Sequence, residues 1–246
     1  MQLQVVGSLA PYPKVDEACS GYLIKQGQTT CLLDCGHGVM SLLGRYTDPY
    51  NLNLVIISHF HPDHYVDLHA LRHLIRGGMT MGRVAGPVDL YIPNAPREQW
   101  EYWQAVAEFR VYTIDPAMKL SYPGLKVEFF PALHPLPAFA VKFQAGQSSL
   151  FYTADSAASD DLWKEARGVD ILLGEASFLA ADGQLAGNLG HMTTLDLARG
   201  GLQAQAGMLI ATHLWPESDA RVISAEIQSV YPGKTITAYS GFSIDV

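Results

Sequence analysis

The chain has 246 residues, of which 48% are hydrophobic and 16% are charged, a balance that predicts a packed globular protein and excludes a disordered one. Its formal net charge of −8 argues against a broad basic face for nucleic acid, because phosphate neutralisation needs clustered Lys and Arg. The sequence contains no Ser/Gly-rich linker, and we therefore predict one domain over residues 1–246.

Short apolar runs alternate with helical patterns along the chain. The predicted strands span residues 3–6, 22–25, 30–34, 54–57, 88–92, 126–130, 138–143, 149–153, 170–173, 208–211 and 235–238. The predicted helices span residues 38–46, 63–75, 96–109, 159–166, 193–205 and 217–230, and the glycine-rich stretch 77–82 is predicted to be a loop. So many strands between helices indicate an α/β protein with outer helices on sheet cores.

The cysteines and the first residues bear on the cellular compartment. Cys19, Cys31 and Cys35 are too few, and odd in number, for a disulfide framework, which fits a reducing cytosol. The first residues lack the basic and long apolar regions of a signal peptide. No apolar run approaches the roughly 20 residues that a membrane helix needs. We therefore expect a cytoplasmic protein that does not enter the membrane.

The most informative segment follows the predicted strand at 54–57. Residues 58–64 read Ser-His-Phe-His-Pro-Asp-His, which places three imidazoles and one carboxylate within six residues. Imidazole and carboxylate are the usual protein ligands of zinc and similar divalent metals. The segment therefore predicts a metal site.

The order of residues in this segment suggests room for two ions. His59 and His61 point the same way if the backbone stays extended, and Pro62 favours that geometry at the residue before it. Proline also suits the first turn of a helix, so that Asp63 and His64 fall in the next turn and can face the same cavity from another side.

A second segment repeats part of this pattern. Residues 54–62 and 208–216 each contain an apolar strand, then Ser or Thr, then His, then Pro three residues on. Each places a histidine at the carboxyl end of a buried strand, where layered α/β proteins usually build their sites. The repeat suggests two equivalent halves that meet at one site.

The His-x-His-x-Asp-His pattern of residues 59–64 resembles that of the metallo-β-lactamase superfamily. That family supplies a further His, an Asp and a last His from distant loops, and His134, Asp155 and His213 follow apolar strands in that order. The resemblance implies an α/β fold built as a four-layer αββα sandwich. It also implies two divalent metal ions, with zinc favoured and manganese or iron left open because these metals share ligands. By residue-wise comparison, one ion would be held by His59, His61 and His134 and the other by Asp63, His64 and His213, with Asp155 as the bridge.

Four further segments resemble the ribonuclease Z branch of phosphodiesterases. They are Leu-Asp-Cys-Gly-His-Gly at 33–38, Tyr-Thr-Ala-Asp-Ser at 152–156, Asp-Ile-Leu-Leu-Gly-Glu-Ala-Ser-Phe at 170–178 and Gly-His-Met-Thr-Thr at 190–194.

This resemblance implies roles for several residues outside the ligand set. His191 would protonate the leaving alkoxide or hold a phosphate oxygen, and Glu175 would orient His191. Asp63 would also accept a hydrogen bond from a hydroxide that bridges the two ions. For Asp34 we favour a structural role or a supporting role behind the metal ligands, for instance bonding the amides of the turn at 35–38.

The sequence departs from ribonuclease Z in three places. Only the 20 residues 135–154 separate His134 from Asp155, so the arm that clamps tRNA is missing. Gly174 replaces a histidine of the family pattern, and Asp67 stands where glycine usually follows the main motif. Together with the net charge of −8, these departures disfavour tRNA as a partner.

We therefore expect a metal-dependent hydrolase with a binuclear centre. The favoured activity is that of a phosphodiesterase on a small cyclic or linear phosphodiester or on short RNA, through a metal-bridging hydroxide. Two alternatives stay open: a lactonase or thioesterase with the same centre, and a non-catalytic metal-binding protein. The resemblance also leaves a homodimer open.

Overall fold

A computed structural model describes residues 1–246. Its strands, in chain order, are β1 (Gln2–Gly7), β2 (Gly21–Gln26), β3 (Thr29–Leu33), β4 (Leu54–Ile56), β5 (Val88–Ile92), β6 (Phe109–Thr113), β7 (Lys119–Tyr122), β8 (Leu125–Pro131), β9 (Phe139–Ala145), β10 (Ser148–Tyr152), β11 (Ile171–Glu175), β12 (Met208–Thr212), β13 (Lys234–Thr237) and β14 (Ser243–Asp245). The α-helices are α1 (Val39–Leu43), α2 (Pro62–Tyr65), α3 (Leu68–Thr80), α4 (Arg97–Gln104), α5 (Asp160–Glu165), α6 (Gly183–Leu189), α7 (Thr194–Ala204) and α8 (Ala220–Gln228). Short 3-10 helices lie at Pro49–Asn51 and Ala180–Asp182. None of the helices combines the length and the apolar character that crossing a membrane requires.

The strands form two seven-stranded sheets with the same internal arrangement. Sheet one has the order β14-β1-β2-β3-β4-β5-β6, and sheet two has the order β13-β12-β11-β10-β9-β8-β7. Each sheet contains three antiparallel pairings followed by three parallel ones. The parallel strands of each sheet therefore carry their carboxyl ends to one edge, where loops can build a site.

Three apolar cores separate four layers, because side chains alternate across each strand. Along β3, Cys31 and Leu33 face the core between the sheets, whereas Leu32 faces the core under α1, α3 and α4. On sheet two, Phe151 and Leu172 face a third core that α5, α7 and α8 cover. The predicted four-layer αββα sandwich is confirmed.

All eleven predicted strands are present, and three strands were not predicted. The helical pattern predicted over 96–109 was too long, because α4 ends at Gln104 and Phe109 already begins β6. Strands β7 and β14 are short and mostly exposed or half-buried, so they carry little apolar signal.

The predicted loop at 77–82 is wrong, because α3 continues to Thr80. Gly78 in this segment allows close packing, because a Cβ at that position would lie 2.5 Å from the ring of Tyr50. The helix predicted over 63–75 is in fact two helices, and Asp67 lies at the break. Helix α6 escaped prediction because Ala186 is its only buried residue.

The two repeated segments do not occupy equivalent places. Both sheets share one arrangement, but β4 is the first strand of the parallel run that follows β3, whereas β12 is the second strand after β10. The equivalent of β4 in sheet two is β11. The repeat therefore correctly indicates two histidines at one edge, and it does not mark the internal symmetry.

Candidate metal centre

The predicted site residues lie where strands of both sheets end. Asp34 directly follows β3, and His213 directly follows β12. Three non-glycine residues at these ends have left-handed backbone: Asp34 at φ 58°, Ala154 at φ 52° and His213 at φ 55°. Such backbone costs about 1–3 kcal/mol per residue and persists only where the surroundings enforce it. The concentration of this backbone geometry at one edge indicates that the surrounding structure enforces it there and so orients these residues toward the site.

The first group of candidate ligands contains His59, His61, His134 and Asp155, whose ligand atoms all lie within 4.8 Å of one another. His61 Nδ1 lies 3.1 Å from His59 Nε2 and 3.1 Å from His134 Nε2. His59 Nε2 lies 3.5 Å from a carboxylate oxygen of Asp155. His61 has extended backbone before Pro62, as predicted, with φ −72° and ψ 141°.

The second group contains Asp63, His64 and His213. His213 Nε2 lies 3.3 Å from Asp63 Oδ2 and 3.2 Å from Asp155 Oδ2. His64 Nε2 lies 3.2 Å from the other oxygen of Asp155. The carboxylate of Asp155 therefore stands between the two groups and contacts both.

Four imidazoles direct Nε2 toward the centre, because a hydrogen-bonding partner outside the centre engages Nδ1. The Nδ1 of His134 lies 3.0 Å from the carbonyl oxygen of Gly190, to which it can only donate. The Nδ1 of His64 donates to Asp34 over 2.8 Å. Hydroxyls serve the remaining two: Ser58 lies 3.1 Å from His59 Nδ1 and Ser177 lies 2.8 Å from His213 Nδ1. In the neutral tautomer that these bonds select, each Nε2 carries the lone pair that a metal ion would take.

Asp34 organises this outer layer from a fully buried position. Its Oδ1 accepts the Ser58 amide over 2.7 Å, and its Oδ2 accepts the hydroxyls of Ser58 and Tyr152 as well as the His64 ring. Asp34 therefore supports the candidate ligand His64, in keeping with the supporting role expected of it, but its partners are not the amides of the turn at 35–38. Its left-handed backbone turns the carboxylate toward β4 and the centre instead.

Two buried polar atoms test whether a cation fits here. His64 Nε2 and Asp155 Oδ1 have no hydrogen-bond partner, although native proteins satisfy nearly all such atoms. The inward nitrogens of His59, His61 and His134 also converge on one point. Neutral imidazoles and carboxylates are the donors that divalent transition metals prefer. The residues present fit a divalent metal ion.

Protonation favours ligand binding in the first group, whereas in the second group burial lowers the pKa of His64 but neighbouring carboxylates outweigh it and raise that pKa. Burial lowers the pKa of His59 to about 4 and also lowers the pKa of His61 and of His134. Burial alone would raise the pKa of Asp155, but the neighbouring imidazoles His213, His64 and His59 outweigh it and hold that pKa well below its usual value. The first group therefore offers neutral imidazoles and an ionised carboxylate at neutral pH.

His191 and Glu175 form a hydrogen-bonded pair beside the two groups. His191 Nδ1 lies 3.1 Å from Glu175 Oε2 and 3.9 Å from Asp155 Oδ2. Burial lowers the pKa of His191, but the bond to the carboxylate of Glu175 outweighs it and raises the pKa to about 9. Glu175 is fully buried and also accepts the Ser156 amide over 2.6 Å, which fixes the pair. His191 also stands within ligand distance of Asp155 and His213.

Sequence reasoning missed three residues of the outer layer. Ser58 and Ser177 lie inside segments that predicted the site, but their local pattern does not distinguish them from other polar residues. Ser177 stands two residues after Glu175, so alternation along an extended segment could have placed both on one face. Tyr152 comes from sheet two and reaches Asp34 of sheet one, and no local pattern predicts that contact.

Two glycines allow segments of the centre to approach one another. A Cβ on Gly36 would lie 1.8 Å from the carbonyl oxygen of Asp63. Gly190 has φ 77°, and a Cβ there would lie 2.6 Å from Pro135 Cδ and 3.3 Å from His134 Nδ1. Asp67, which replaces a glycine of the family pattern, accepts the Met40 amide over 2.9 Å and so ties the break before α3 to α1.

A cavity of about 370 Å³ opens onto the centre. Its polar lining comes from His61, Asp63, Asp155, His191 and His213. Its apolar lining includes Pro11, Phe178, Leu189 and Trp215. No Lys or Arg lines the cavity.

Known proteins resemble this chain in sequence and in architecture. The model of a domain family described as the β-lactamase superfamily domain matches residues 29–214. The probable metallo-hydrolase YhfI of Bacillus subtilis is 30% identical over 98% of both chains, and its crystal structure superposes with a TM-score of 0.94 over 99% of this chain and 98% of that one. The short form of human tRNase Z has a TM-score of 0.78 at 19% identity, covering 100% and 99% of the two chains. A diphosphatase of the PhnP family has a TM-score of 0.77 at 16% identity, covering 100% and 97%.

Proposed function

The chain belongs to the β-lactamase superfamily, as its motifs predicted, and from that premise we propose that it is a metal-dependent phosphodiesterase with a two-ion centre. Its close similarity to a probable metallo-hydrolase over the full length supports hydrolysis as the reaction class. Its substrate would be a small cyclic or linear phosphodiester or short RNA. Ribonuclease Z sequences are also among the relatives: that of Ignicoccus hospitalis is 23% identical over 93% of both chains.

The ligand sets follow the two groups described above. His59, His61 and His134 would hold one ion, and Asp63, His64 and His213 would hold the other. Asp155 would bridge the two, since its oxygens already contact histidines of both groups. Imidazole-rich sets suit zinc, and manganese and iron accept the same donors.

Divalent ions in such a pair lower the pKa of a bound water and stabilise charge on a phosphoryl group. The residues supply orientation and a proton. The ionised carboxylate of Asp63, which lines the cavity, would accept a hydrogen bond from that water. The reaction adds water across one ester bond: the water oxygen joins phosphorus, the P–O bond to the leaving group breaks, and the products are a phosphomonoester and an alcohol.

The single observation that carries the proposal is the His191–Glu175 pair at the cavity. Its 3.1 Å bond engages Nδ1, so the protonated ring presents Nε2–H to a ligand. A phosphodiester needs a proton at its leaving alkoxide, and Nε2 is the atom that would donate it. In the alternative role, the same N–H holds a phosphate oxygen.

The test uses protein of defined metal content. We expect bis(p-nitrophenyl) phosphate to be hydrolysed, and lactones and thioesters to be hydrolysed slowly or not at all. The His61→Ala variant should lose at least part of the bound metal and more than about 100-fold in kcat/KM. Metal content is measured by elemental analysis beside the kinetics.

His73→Ala is the matched control, because His73 is an exposed histidine on α3 outside the centre. It should retain metal and activity. Full activity in His61→Ala would refute the proposal, as would a preference for lactones or thioesters.

A further inference from the structure

We propose that Trp215 and Phe178 form an aromatic subsite that binds the nucleobase of a small, singly charged nucleotide phosphodiester. This assignment rests on the proposed function, since it names the substrate class of the same centre. Trp215 follows the candidate ligand His213 by two residues, and Phe178 follows Glu175 by three. Both rings therefore stand on the same loops that carry the polar groups.

The exposure of the Trp215 indole supports this assignment. Trp215 is 43% exposed, whereas Trp103 and Trp163 are buried. An indole that is partly exposed where it lines the cavity leaves ring surface open to a ligand. Stacking of bases on aromatic side chains is a common way to bind nucleotides without reading their sequence.

A neighbouring contact holds the indole in place. Tyr12 packs its ring edge-to-face on Trp215, with centroids 5.9 Å apart, and its hydroxyl donates to Glu217 over 2.8 Å. On the other ring, Phe178 lies 6.0 Å from the centroid of His191. The apolar wall is therefore continuous with the residue proposed to donate the proton.

The space beside the rings has room for a base. A second cavity of about 300 Å³ adjoins the first, and Ser177, Phe178 and Trp215 line both. A ligand with its phosphoryl group over the centre can thus place an attached ring between the two aromatic side chains or in the second cavity. Leu185 and the carboxylate of Asp182 line that second space.

The charge of the lining restricts the ligand further. Neither cavity has a Lys or Arg side chain. A ligand with more phosphate groups than the one bound at the centre would therefore find no such side chain to neutralise them. A long RNA strand would place further phosphates along a surface without cations to neutralise them. A mononucleotide diester, with one negative charge, matches the lining better.

The experiment compares two five-membered cyclic phosphodiesters, one attached to a ribose that carries a base and one with neither ribose nor base. Adenosine 2′,3′-cyclic phosphate and glycerol 1,2-cyclic phosphate are assayed with the wild type, Trp215→Ala, Trp215→Phe and Tyr239→Ala. We expect the wild type to prefer the adenosine ester, and Trp215→Ala to reduce the ratio of the two kcat/KM values by about 5- to 150-fold, mainly through KM. Trp215→Phe should retain most of the preference. Tyr239, an exposed aromatic residue outside both cavities, provides the control, and its variant should keep the wild-type ratio.

A binding measurement separates the subsite from the reaction. The indole N–H signal of Trp215, assigned by its loss in Trp215→Phe, is followed by NMR during titration with adenosine and, separately, with ribose. We expect adenosine to shift it and ribose to leave it in place. An unchanged ratio in Trp215→Ala, or an indole signal that adenosine does not move, overturns the subsite. If neither ester is hydrolysed, the phosphodiesterase proposal fails, and the adenosine titration alone decides whether the subsite exists.

Discussion

At the scale of single residues, the histidines of the centre differ in which ring nitrogen an outer partner engages. His59, His64, His134 and His213 each engage Nδ1 outside the centre and direct Nε2 inward. His61 is the exception, because its Nδ1 faces inward. Outer partners of this kind fix the tautomer and orientation of ligand imidazoles, so they are part of the site's function.

Asp34→Asn tests the outer layer at one residue. The amide nitrogen of Asn donates, and in either orientation it would oppose a donor that now converges on Asp34: the Ser58 amide at Oδ1, or the His64, Ser58 and Tyr152 side chains at Oδ2. We expect metal affinity to fall about 10- to 100-fold, measured by competition with a chelator. Wild-type affinity in this variant would show that His64 needs no outer partner.

At the scale of elements, strand ends and helix ends position the centre. The left-handed residues after β3, β10 and β12 turn the chain sharply where the parallel strands stop. Helix α6 ends at Leu189, and the left-handed backbone of the next residue, Gly190, places a carbonyl oxygen near His134 Nδ1. These short segments contribute few buried side chains, and their geometry matters more than their packing.

Gly190→Ala tests the end of α6. A Cβ there would collide with Pro135, and left-handed backbone disfavours alanine, so the carbonyl contact to His134 should be lost. We expect a loss of about 1–3 kcal/mol in unfolding free energy and weaker binding of one metal equivalent, measured by calorimetric titration. Gly187→Ala, in the same helix with open space around it, is the control and should bind metal as the wild type does. Equal titrations for the two variants would contradict the role assigned to Gly190.

The buried carboxylate of Glu108, which lies outside the metal centre, leads to a prediction about how the stability of the fold depends on pH. It lies just before β6, is 4% exposed and accepts hydrogen bonds from Arg72 and Arg76 of α3. Burial raises the pKa of Glu108, but the bonds from the two guanidinium groups outweigh it and lower that pKa below its usual value. A depressed folded-state pKa adds stability above the unfolded pKa, and this stability is lost as pH falls through the folded pKa.

We therefore expect Glu108→Gln to reduce the unfolding free energy by about 1–3 kcal/mol at pH 7, and by progressively less as the pH falls below about 4. Urea unfolding of both proteins across this range measures the difference. Glu101→Gln is the control, because Glu101 is exposed and pairs only with Arg97 within α4; it should change stability by less than about 0.5 kcal/mol. A Glu108→Gln effect that does not vary with pH would contradict the ion-pair explanation.

At the scale of the whole molecule, the centre joins the two sheets. Candidate ligands come from the loops after β4 of sheet one and after β8, β10 and β12 of sheet two. The hydrogen bond between Tyr152 and Asp34 and that between Tyr22 and Thr212 also cross between the sheets near this edge. Metal binding should therefore stabilise the association of the two halves as well as the loops.

Removal of metal tests this coupling. An ion present at about 1,000 times its Kd adds about 4 kcal/mol per site to the folded state, and 1 kcal/mol shifts Tm by about 2–4 °C in a chain of this size. Two such sites add about 8 kcal/mol, so we expect chelation to lower Tm by about 15–30 °C and added Zn²⁺ to restore it. Ca²⁺, which prefers oxygen ligands, should restore little. A Tm that chelation does not change would refute metal-linked stability.

The sequence by itself determined most of the regular secondary structure and the local motifs. Eleven strands follow from apolar runs, since burial of both faces leaves a signal in composition. The pattern at residues 59–64 predicted a metal site because few structural needs place three imidazoles and a carboxylate so close together. Strands β6, β7 and β14 and helix α6 left too little apolar periodicity to be recognised.

Only the tertiary structure decided how distant segments meet. The contact of Tyr152 with Asp34, the carbonyl of Gly190 on His134 and the shared position of Asp155 each join residues far apart in the chain. The apolar wall formed by Phe178 and Trp215 likewise exists only once the loops after β11 and β12 converge. Local composition records which surfaces are buried and which groups can bind metal. Directional hydrogen bonds and close approaches depend on where the backbone turns, and the packing of both sheets sets those turns.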